Sequence, residues 1–211
     1  MEILCFNELS STQTYLIDEV KKSNVTLPIA VMAKEQTEGV GSRDNSWEGG
    51  DGNLFFSSAI SIDDLPVDLP LNSASIYFSY IMKEVLSEYI EDIWVKWPND
   101  LYYKQDKIGG TITKKMDNNL LFGMGINLQK NSNSFKALNL NVEPITLLKK
   151  YLLAVEEYRS WKQIFSLYRV EFERTREFSA HIEGEYKSLK KAILSEDGSL
   201  IIDNKRVYNI R

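Results

Sequence analysis

Three short stretches of this chain hold residue types that can do chemistry. The densest is "VKWPNDLYYKQDKIGGTI" at residues 95–112. Pro98 biases Trp97 toward an extended backbone and offers no N–H to a neighbouring strand, so an apolar strand ends there. That leaves Asn99 and Asp100 at the strand's mouth, where their oxygens can take hydroxyls, bases or the water shell of a magnesium ion. Lys107 returns on the next strand, and Gly109 and Gly110 let a ligand approach the backbone closely. A hairpin with a polar tip is the plain alternative, but such a hairpin needs none of these special residues. The second stretch is "EQTEGVGSRDNSW" at residues 35–47. Gly39 and Gly41 allow tight backbone geometry whose N–H groups can face an anion, and Arg43 can pair with a phosphate. The stretch lacks the Gly-Lys-Ser/Thr ending of a Walker loop and opens no helix, so a dinucleotide fingerprint is a poor match. The third is "SSTQ" at residues 10–13, where Ser10 or Ser11 can cap a helix. Ser10 can do so while Ser11 and Thr12 contact a ligand.

The elements that must position these residues follow from pattern. "EILCFNEL" reads as a first strand, and "SSTQTYLIDEVKKSN" as a helix with Tyr15, Leu16, Ile17 and Val20 on its apolar face. "LPIAVMAKEQ" is a buried strand, "TEGVGSRDNSWEGGDGN" a long loop and "LFFSSAISI" the next strand. Residues 71–90 read as one long helix, with Ile76, Tyr80, Ile81, Val85 and Leu86 at helical spacing. "DIWVKW", "DKIGGTITKKM" and "LLFGMGINLQ" are strands, the last two joined by a turn at "MDNNL". Residues 143–174 hold two helices broken near Ser160, with Pro144 in the first turn of the first. After about Phe178, short strand-like pieces around "EDG" and "DNK" turns predict a β appendage of about three strands. Strands in runs and helices in groups favour an α+β fold.

Composition narrows the chemistry. The 211 residues are 43% hydrophobic and 26% charged, an ordinary globular balance. A net charge of −5 argues against a nucleic-acid partner, which wants a basic face. The Lys pairs at 21–22, 114–115 and 149–150 read as solvated faces. Cys5 is the single cysteine and lies in an apolar run, so it reads as a core residue; no disulfide within the chain and no cysteine zinc site can form. His181 is the single histidine, far from the motifs, which argues against Ser-His-Asp or Cys-His catalysis. The start shows no signal peptide, Glu2 stands where myristoylation needs glycine, and no window of 18 uninterrupted apolar residues exists. A soluble cytoplasmic protein with no membrane partner is expected.

The motifs, taken together and in order, resemble the catalytic domain of the biotin protein ligases. The matching segments are "SSTQ" at 10–13, "QTEGVGSRDNSW" at 36–47, "KWPNDLYYKQDKIGG" at 96–110 and "GMGINL" at 123–128. The resemblance covers about residues 3–178 and, more loosely, the β tail. It implies a mixed β-sheet flanked by helices, of the class II synthetase-like kind, over 1–177, and a truncated SH3-like β domain over 178–211. It implies a two-step reaction: biotin and ATP give biotinyl-5′-adenylate and pyrophosphate, and the adenylate then acylates a lysine of a biotin carboxyl carrier domain. Two anions must meet in the first step, so a cation is needed between them. The resemblance gives that role to Lys107, with Asp100 and Arg43 beside it. For biotin it implies Ser11, Thr12, Gln13, Gln36, Gly39, Val40, Gly41, Ser42, Lys107 and Gly110. For ATP it implies Arg43, Trp47, Asn99, Asp100, Lys107, Ile126 and Asn127. Magnesium is expected to arrive on ATP, with no direct protein ligand.

Two departures stand out. The family loop commonly carries Arg after each of its first two glycines; here those places are Val40 and Ser42. The hypothesis that follows is an adenylate held by other groups, such as Arg43, or one that leaks. Bifunctional members also carry a DNA-binding domain ahead of the first strand. This chain starts almost at that strand, so no DNA partner is expected. A homodimer is a further expectation from the family. The rival readings are a lipoate or octanoate ligase of the same fold, and a non-catalytic biotin-binding module.

Overall fold

The computed structural model describes residues 1–41, 46–47 (backbone only), 50, 52–129, 136–182 and 184–208. β1 (Glu2–Leu9) and β2 (Ile29–Gln36) lie parallel, with Glu2 beside Ile29 and Leu9 beside Gln36. A parallel pair needs a crossover, and α1 (Thr12–Lys21) supplies it. Ser11, not Ser10, caps this helix: its hydroxyl accepts the Thr14 N–H at 3.3 Å. The segment expected to be one long loop contains a small hairpin of β3 (Gly39–Val40) and β4 (Ser46–Trp47), Gly39 lying opposite Trp47. β5 (Leu54–Ser61) follows, then a 3-10 turn at Leu71–Ser73 and α2 (Ala74–Ser87), shorter at both ends than expected. β6 (Ile93–Lys96), β7 (Asp100–Tyr103), β8 (Asp106–Met116) and β9 (Asn119–Ile126) come next. β7 is an addition to what the sequence pattern predicts.

Among the described residues these strands form a seven-stranded mixed sheet in the order β1-β2-β5-β9-β8-β7-β6. Only β1 and β2 run parallel within it; the other neighbours are antiparallel. β5 and β9 sit at its centre and are apolar on both faces, as strands covered on both sides must be. Phe56, Phe122 and Ile126 join the main core with α2, α3 (Pro144–Val155) and α4 (Trp161–Glu171), where Phe78 stacks on Phe122 at 3.8 Å between ring centres. Ala59 and Leu121 face the other way, under Leu16 of α1. α2 is buried nearly all round because the sheet lies on one side of it and α3 and α4 on the other.

Cys5, expected in the core, is exposed. β1 is an edge strand that has only β2 beside it, and Cys5 sits on the uncovered side of its pleat. His181 packs edge-on against Tyr186 at 5.1 Å, far from the motif residues in the chain. Among the described residues no helix is long and apolar enough to cross a membrane.

The β tail is richer than expected. After a 3-10 turn at Phe172–Glu177, β10 (Ser179–Ile182) and β11 (Glu185–Ser188) form a hairpin. β12 (Ile193–Leu194), β13 (Leu200–Ile202) and β14 (Lys205–Val207) form a separate three-stranded sheet. Both expected turns occur: Gly198 adopts φ +79°, and Asp203 and Asn204 adopt φ 50° and 61°, the paired positive values of a two-residue hairpin. Ala180, Ile182, Leu189, Ala192, Leu200 and Ile202 pack into the main core.

Candidate active site

Strand register gathers the charged residues of the first motif. β6 ends at Lys96, residues 97–99 turn, and β7 returns with Asp100 opposite Lys96. Asp100 in turn lies opposite Gly110 of β8. A bulge between Leu101 and Tyr102 shifts the register, so that Lys107 falls opposite Tyr102. Lys107 Nζ then sits 2.5 Å from Asp100 Oδ1, and Lys96 Nζ lies 3.7 Å from Asp100 Oδ2. One carboxylate thus faces two ammonium groups at the mouth. At an effective dielectric of 20, a unit charge at 4 Å is worth about 4 kcal/mol to an incoming anion before screening. The Lys107 side chain is 42% exposed, against 16% for Asp100, so the lysine is the group an arriving ligand meets. Burial, and then the carboxylates of Asp100 and Asp106, push the neighbouring Tyr102 phenol up to about 12. It stays neutral near pH 7 and is no base.

The two adjacent glycines do different things. A side chain on Gly109 would come within 2.7 Å of Ile126 Cδ1 and 2.8 Å of the Gly125 carbonyl, so its bareness is required by close packing against β9. A Cβ on Gly110 would meet Asp100, Asn99 and Lys107 at 3.6–3.8 Å, ordinary contact distances. Gly110 therefore opens toward the charged mouth. Ile126, expected near ATP, is fully buried in the main core over Gly109.

At the other end, α1 brings its first residues onto β2 and β5. Gln36 Oε1 accepts both the Thr12 N–H at 2.8 Å and the Thr12 hydroxyl at 3.0 Å. Thr12 Oγ1 also lies 3.0 Å from Ser57 Oγ. Gln13 Oε1 is buried without a hydrogen-bond partner, and a Cβ on Gly123 would sit 2.7 Å from it and 2.9 Å from Ser57 Oγ. A buried, unpaired carbonyl costs free energy, so an unanswered acceptor here points to a ligand donor. Register links the two ends. Ser57 pairs Gly123, Gly125 pairs Gly110, and Gly110 pairs Asp100, all on the face that α1 covers. Two residues along β9 span about 7 Å, and each strand step adds about 4.8 Å. Gly123, Gly125 and Gly110 thus line one face in a row, a slot with Thr12, Gln13, Gln36 and Ser57 as its polar head, Gln13 and Ser57 packed over Gly123, and Lys107 at the far end.

The remaining expected residues divide. The Ser11 hydroxyl is taken by the helix cap. Asn99 Nδ2 donates to the Thr111 carbonyl at 2.6 Å, while its Oδ1 is buried and unpaired. Asn127 donates from Nδ2 to the Lys136 carbonyl at 3.2 Å, tying down the chain beyond 136. Gly39 is buried, Val40 is 47% exposed, and Gly41 is half-buried. Ser42, Arg43 and the Asp44-Asn45 pair lie outside the described residues, as does the Trp47 side chain. Sequence reasoning passed over Lys96 and Ser57, and it quoted Gly123 and Gly125 only as motif letters. The adjacent Ser57 and Ser58, inside the otherwise apolar "LFFSSAI", were the available signal for Ser57.

Comparisons with known proteins agree with this geometry. The chain is 38% identical to the biotin acetyl coenzyme A carboxylase synthetase of Helicobacter pylori, solved with bound biotinylated ATP. That likeness covers 98% of this chain and 99% of that one, with a TM-score of 0.93. The biotin protein ligase of Aquifex aeolicus, in complex with biotin and ATP, shares the fold at a TM-score of 0.78 and 22% identity, covering 98% and 94% of the two chains. Among curated proteins, biotin–protein ligase 2 of Arabidopsis thaliana is 28% identical over 152 residues, 63% of this chain and 44% of that protein. The bifunctional ligase/repressor BirA of Escherichia coli is 29% identical over 127 residues, 57% of this chain and 38% of that protein. The chain thus spans less than half the length of these curated relatives. The model of one family matches residues 5–131, more than half of the chain and the whole of the slot: the chain belongs to the biotin/lipoate A/B protein ligase family.

Proposed function

We propose that this chain is an ATP-dependent biotin–protein ligase, cytoplasmic, with residues 1–177 as its catalytic unit and 178–211 as a β appendage. It joins biotin to AMP with release of pyrophosphate, then passes the biotinyl group to a lysine of a biotin carboxyl carrier domain. The observation that carries this reading is the polarity of the slot. Biotin has a hydrogen-bonding ureido ring at one end and a carboxylate at the other, and the slot has Gln13, Gln36, Thr12 and Ser57 facing one end and Lys107 the other. The likeness to the Helicobacter pylori protein across both chains supports it.

In the first step a biotin carboxylate oxygen bonds to the α-phosphorus of ATP and pyrophosphate leaves. The carboxylate is already ionised, so no general base is needed. Two anions must approach, and Lys107 supplies the positive charge between them. Asp100 holds Lys107 at the far end of the slot until the ligands arrive, and Lys96 pairs with the other oxygen of the same carboxylate. Asn99 Oδ1 and the Asp100 carboxylate are hard oxygen donors suited to a magnesium ion or its water shell. That ion would screen the outer phosphates and the leaving pyrophosphate.

A lipoate substrate fits less well, because its dithiolane ring would leave the buried Gln13 carbonyl unanswered, a loss a polar site does not tolerate. The test is pyrophosphate release with ATP and magnesium, with biotin or lipoate added. Release with biotin alone is the expected result. Release with lipoate alone would move the chain to the other branch of the family, and release with neither, even with a carrier domain present, would leave a binding module.

A further inference from the structure

The corner at Trp97-Pro98-Asn99, which presents Asp100, belongs to no strand and must be held from outside. Among the described residues, five hydrogen bonds hold it. The Trp97 N–H reaches Thr175 Oγ1 at 3.5 Å, Ser75 Oγ donates to the Pro98 carbonyl at 3.2 Å, and the Asn99 carbonyl accepts the Thr111 N–H at 2.9 Å. Asn99 Nδ2 donates to the Thr111 carbonyl at 2.6 Å. The fifth comes from the β tail: Trp97 Nε1 donates to the Gly198 carbonyl at 3.0 Å, with the ring buried.

That last bond is one of a set. Three consecutive carbonyls at the tip of the β12–β13 hairpin each accept from a side chain of the helix-and-sheet body. Trp161 Nε1 donates to Glu196 O at 2.8 Å, Ser73 Oγ to Asp197 O at 2.5 Å, and Trp97 Nε1 to Gly198 O. The fit leaves no slack, since a Cβ on Gly198 would lie 2.3 Å from Ser73 Oγ. A tail that merely shielded apolar surface would not need three successive backbone acceptors matched to three donors.

We propose that the turn at 196–198 is a positioning element for the nucleotide end of the site, with Trp97 as the positioning residue through which it acts. The turn fixes the Trp97 ring. The ring fixes the corner, and the corner sets Asp100 and, through it, Lys107. The polar head of the slot lies on β2, β5 and α1, outside this chain of contacts, so the turn acts on biotin only through Lys107 and Gly110 at the slot's far end. The kinetic part of the idea rests on the ligase reading; the structural part does not.

Two variants separate the possibilities. Trp97→Phe keeps the aromatic ring and removes its N–H. Ser73→Ala frees the Asp197 carbonyl without touching the corner. Both are studied well below their unfolding temperatures, by amide hydrogen exchange and by pyrophosphate release. The expected result is at least tenfold faster exchange at the Thr111 N–H in both variants, with Met124 in the sheet centre unchanged. The KM for ATP rises at least fivefold, while biotin affinity, measured without ATP, falls by a smaller factor than the KM for ATP rises. Unchanged exchange at Thr111 would overturn the proposal whatever the activity. Faster exchange with an unchanged KM for ATP would overturn the positioning role. If the unsubstituted protein releases no pyrophosphate with biotin, the ligase reading fails, and the exchange result still decides whether the turn holds the corner. Should Trp97→Phe fail to fold, Ser73→Ala alone decides the question by the same two measurements.

Discussion

Lys107 is the residue on which the chemistry turns, and its role is separable from the fold. Its side chain is 42% exposed and packs no core, so Lys107→Ala is expected to leave the unfolding midpoint nearly unchanged. Pyrophosphate release should fall by two orders of magnitude or more, the scale of losing one preorganised charge at a reacting anion. A variant retaining most activity would remove Lys107 from the mechanism. The neighbouring glycines offer a sharper contrast. Gly110→Val points a branched side chain into the slot and should abolish biotin binding, read by calorimetry, with little loss of stability. Gly109→Ala presses on Ile126 Cδ1 and the Gly125 backbone, so it should cost about 1–3 kcal/mol of stability in urea titration. Lys107, Asp100 and Gly110 were legible because their types are rare together and the Pro98 corner is a sharp local signal. Ser57 and Lys96 were not, because their partners lie 45 and 4 residues away across a register that no local pattern announces. Gly109 carried the same letter as Gly110, and only the neighbouring strand tells them apart.

At the level of elements, β6 is the problem the fold has to solve. It is an edge strand, it carries the site's corner at its end, and its outward N–H groups have no strand to bond. Groups at the end of α4 and just beyond it answer them. Glu171, the last residue of α4, accepts the Val95 N–H at 3.1 Å and is itself paired with Lys83 at 3.2 Å. Thr175 reaches the next outward N–H, at Trp97. The start of α4 is fixed as firmly as its end. Ser160 and Gln163 form a reciprocal capping box, and both Asp68 oxygens accept the free N–H groups of Trp161 and Lys162 at 2.9 and 3.0 Å. Ser160→Ala is expected to cost about 1 kcal/mol, as lost helix caps do. Asp68→Ala should cost a similar amount, measured by the same urea titration; no change in either would mean α4 is held by packing alone. The long strands and helices were readable from period, from Pro144 in a first turn and from the break near Ser160, whose capping role only the structure gives. β7 escaped because four residues behind a Pro look like part of a turn, and β3 and β4 because two residues show no period at all.

On the scale of the whole molecule, Glu171 of the body and Asp197 of the tail titrate in opposite senses, and the difference separates their contributions. Burial pushes the Glu171 carboxyl up, outweighing Lys83 and the Val95 N–H, so its folded value lies above the ordinary 4.5. The folded state then holds that proton more tightly, and Glu171 lowers stability as pH rises from 4.5 through the raised value. Asp197 behaves the other way. Burial is the largest single influence and raises it, but the Ser199 N–H and O–H and the Arg206 guanidinium together outweigh it and hold the carboxyl below its ordinary 3.8. The unfolded chain binds its proton first, so the stability Asp197 contributes is present above pH 3.8 and is lost as pH falls through the depressed value. An acid titration of the unsubstituted protein mixes the two slopes. The difference between it and Asp197→Asn isolates one. The denaturation midpoint of Asp197→Asn should lie below that of the unsubstituted protein above pH 3.8, and the two curves should converge as the pH falls from there through the depressed value. Curves that stay parallel would mean the carboxylate does nothing for the turn beyond what an amide does. The turns at "EDG" and "DNK" were visible in the sequence because Gly and Asn mark positive φ. The attachment of the first of them to Trp97, 101 residues earlier in the chain, was not, since a backbone carbonyl has no letter of its own.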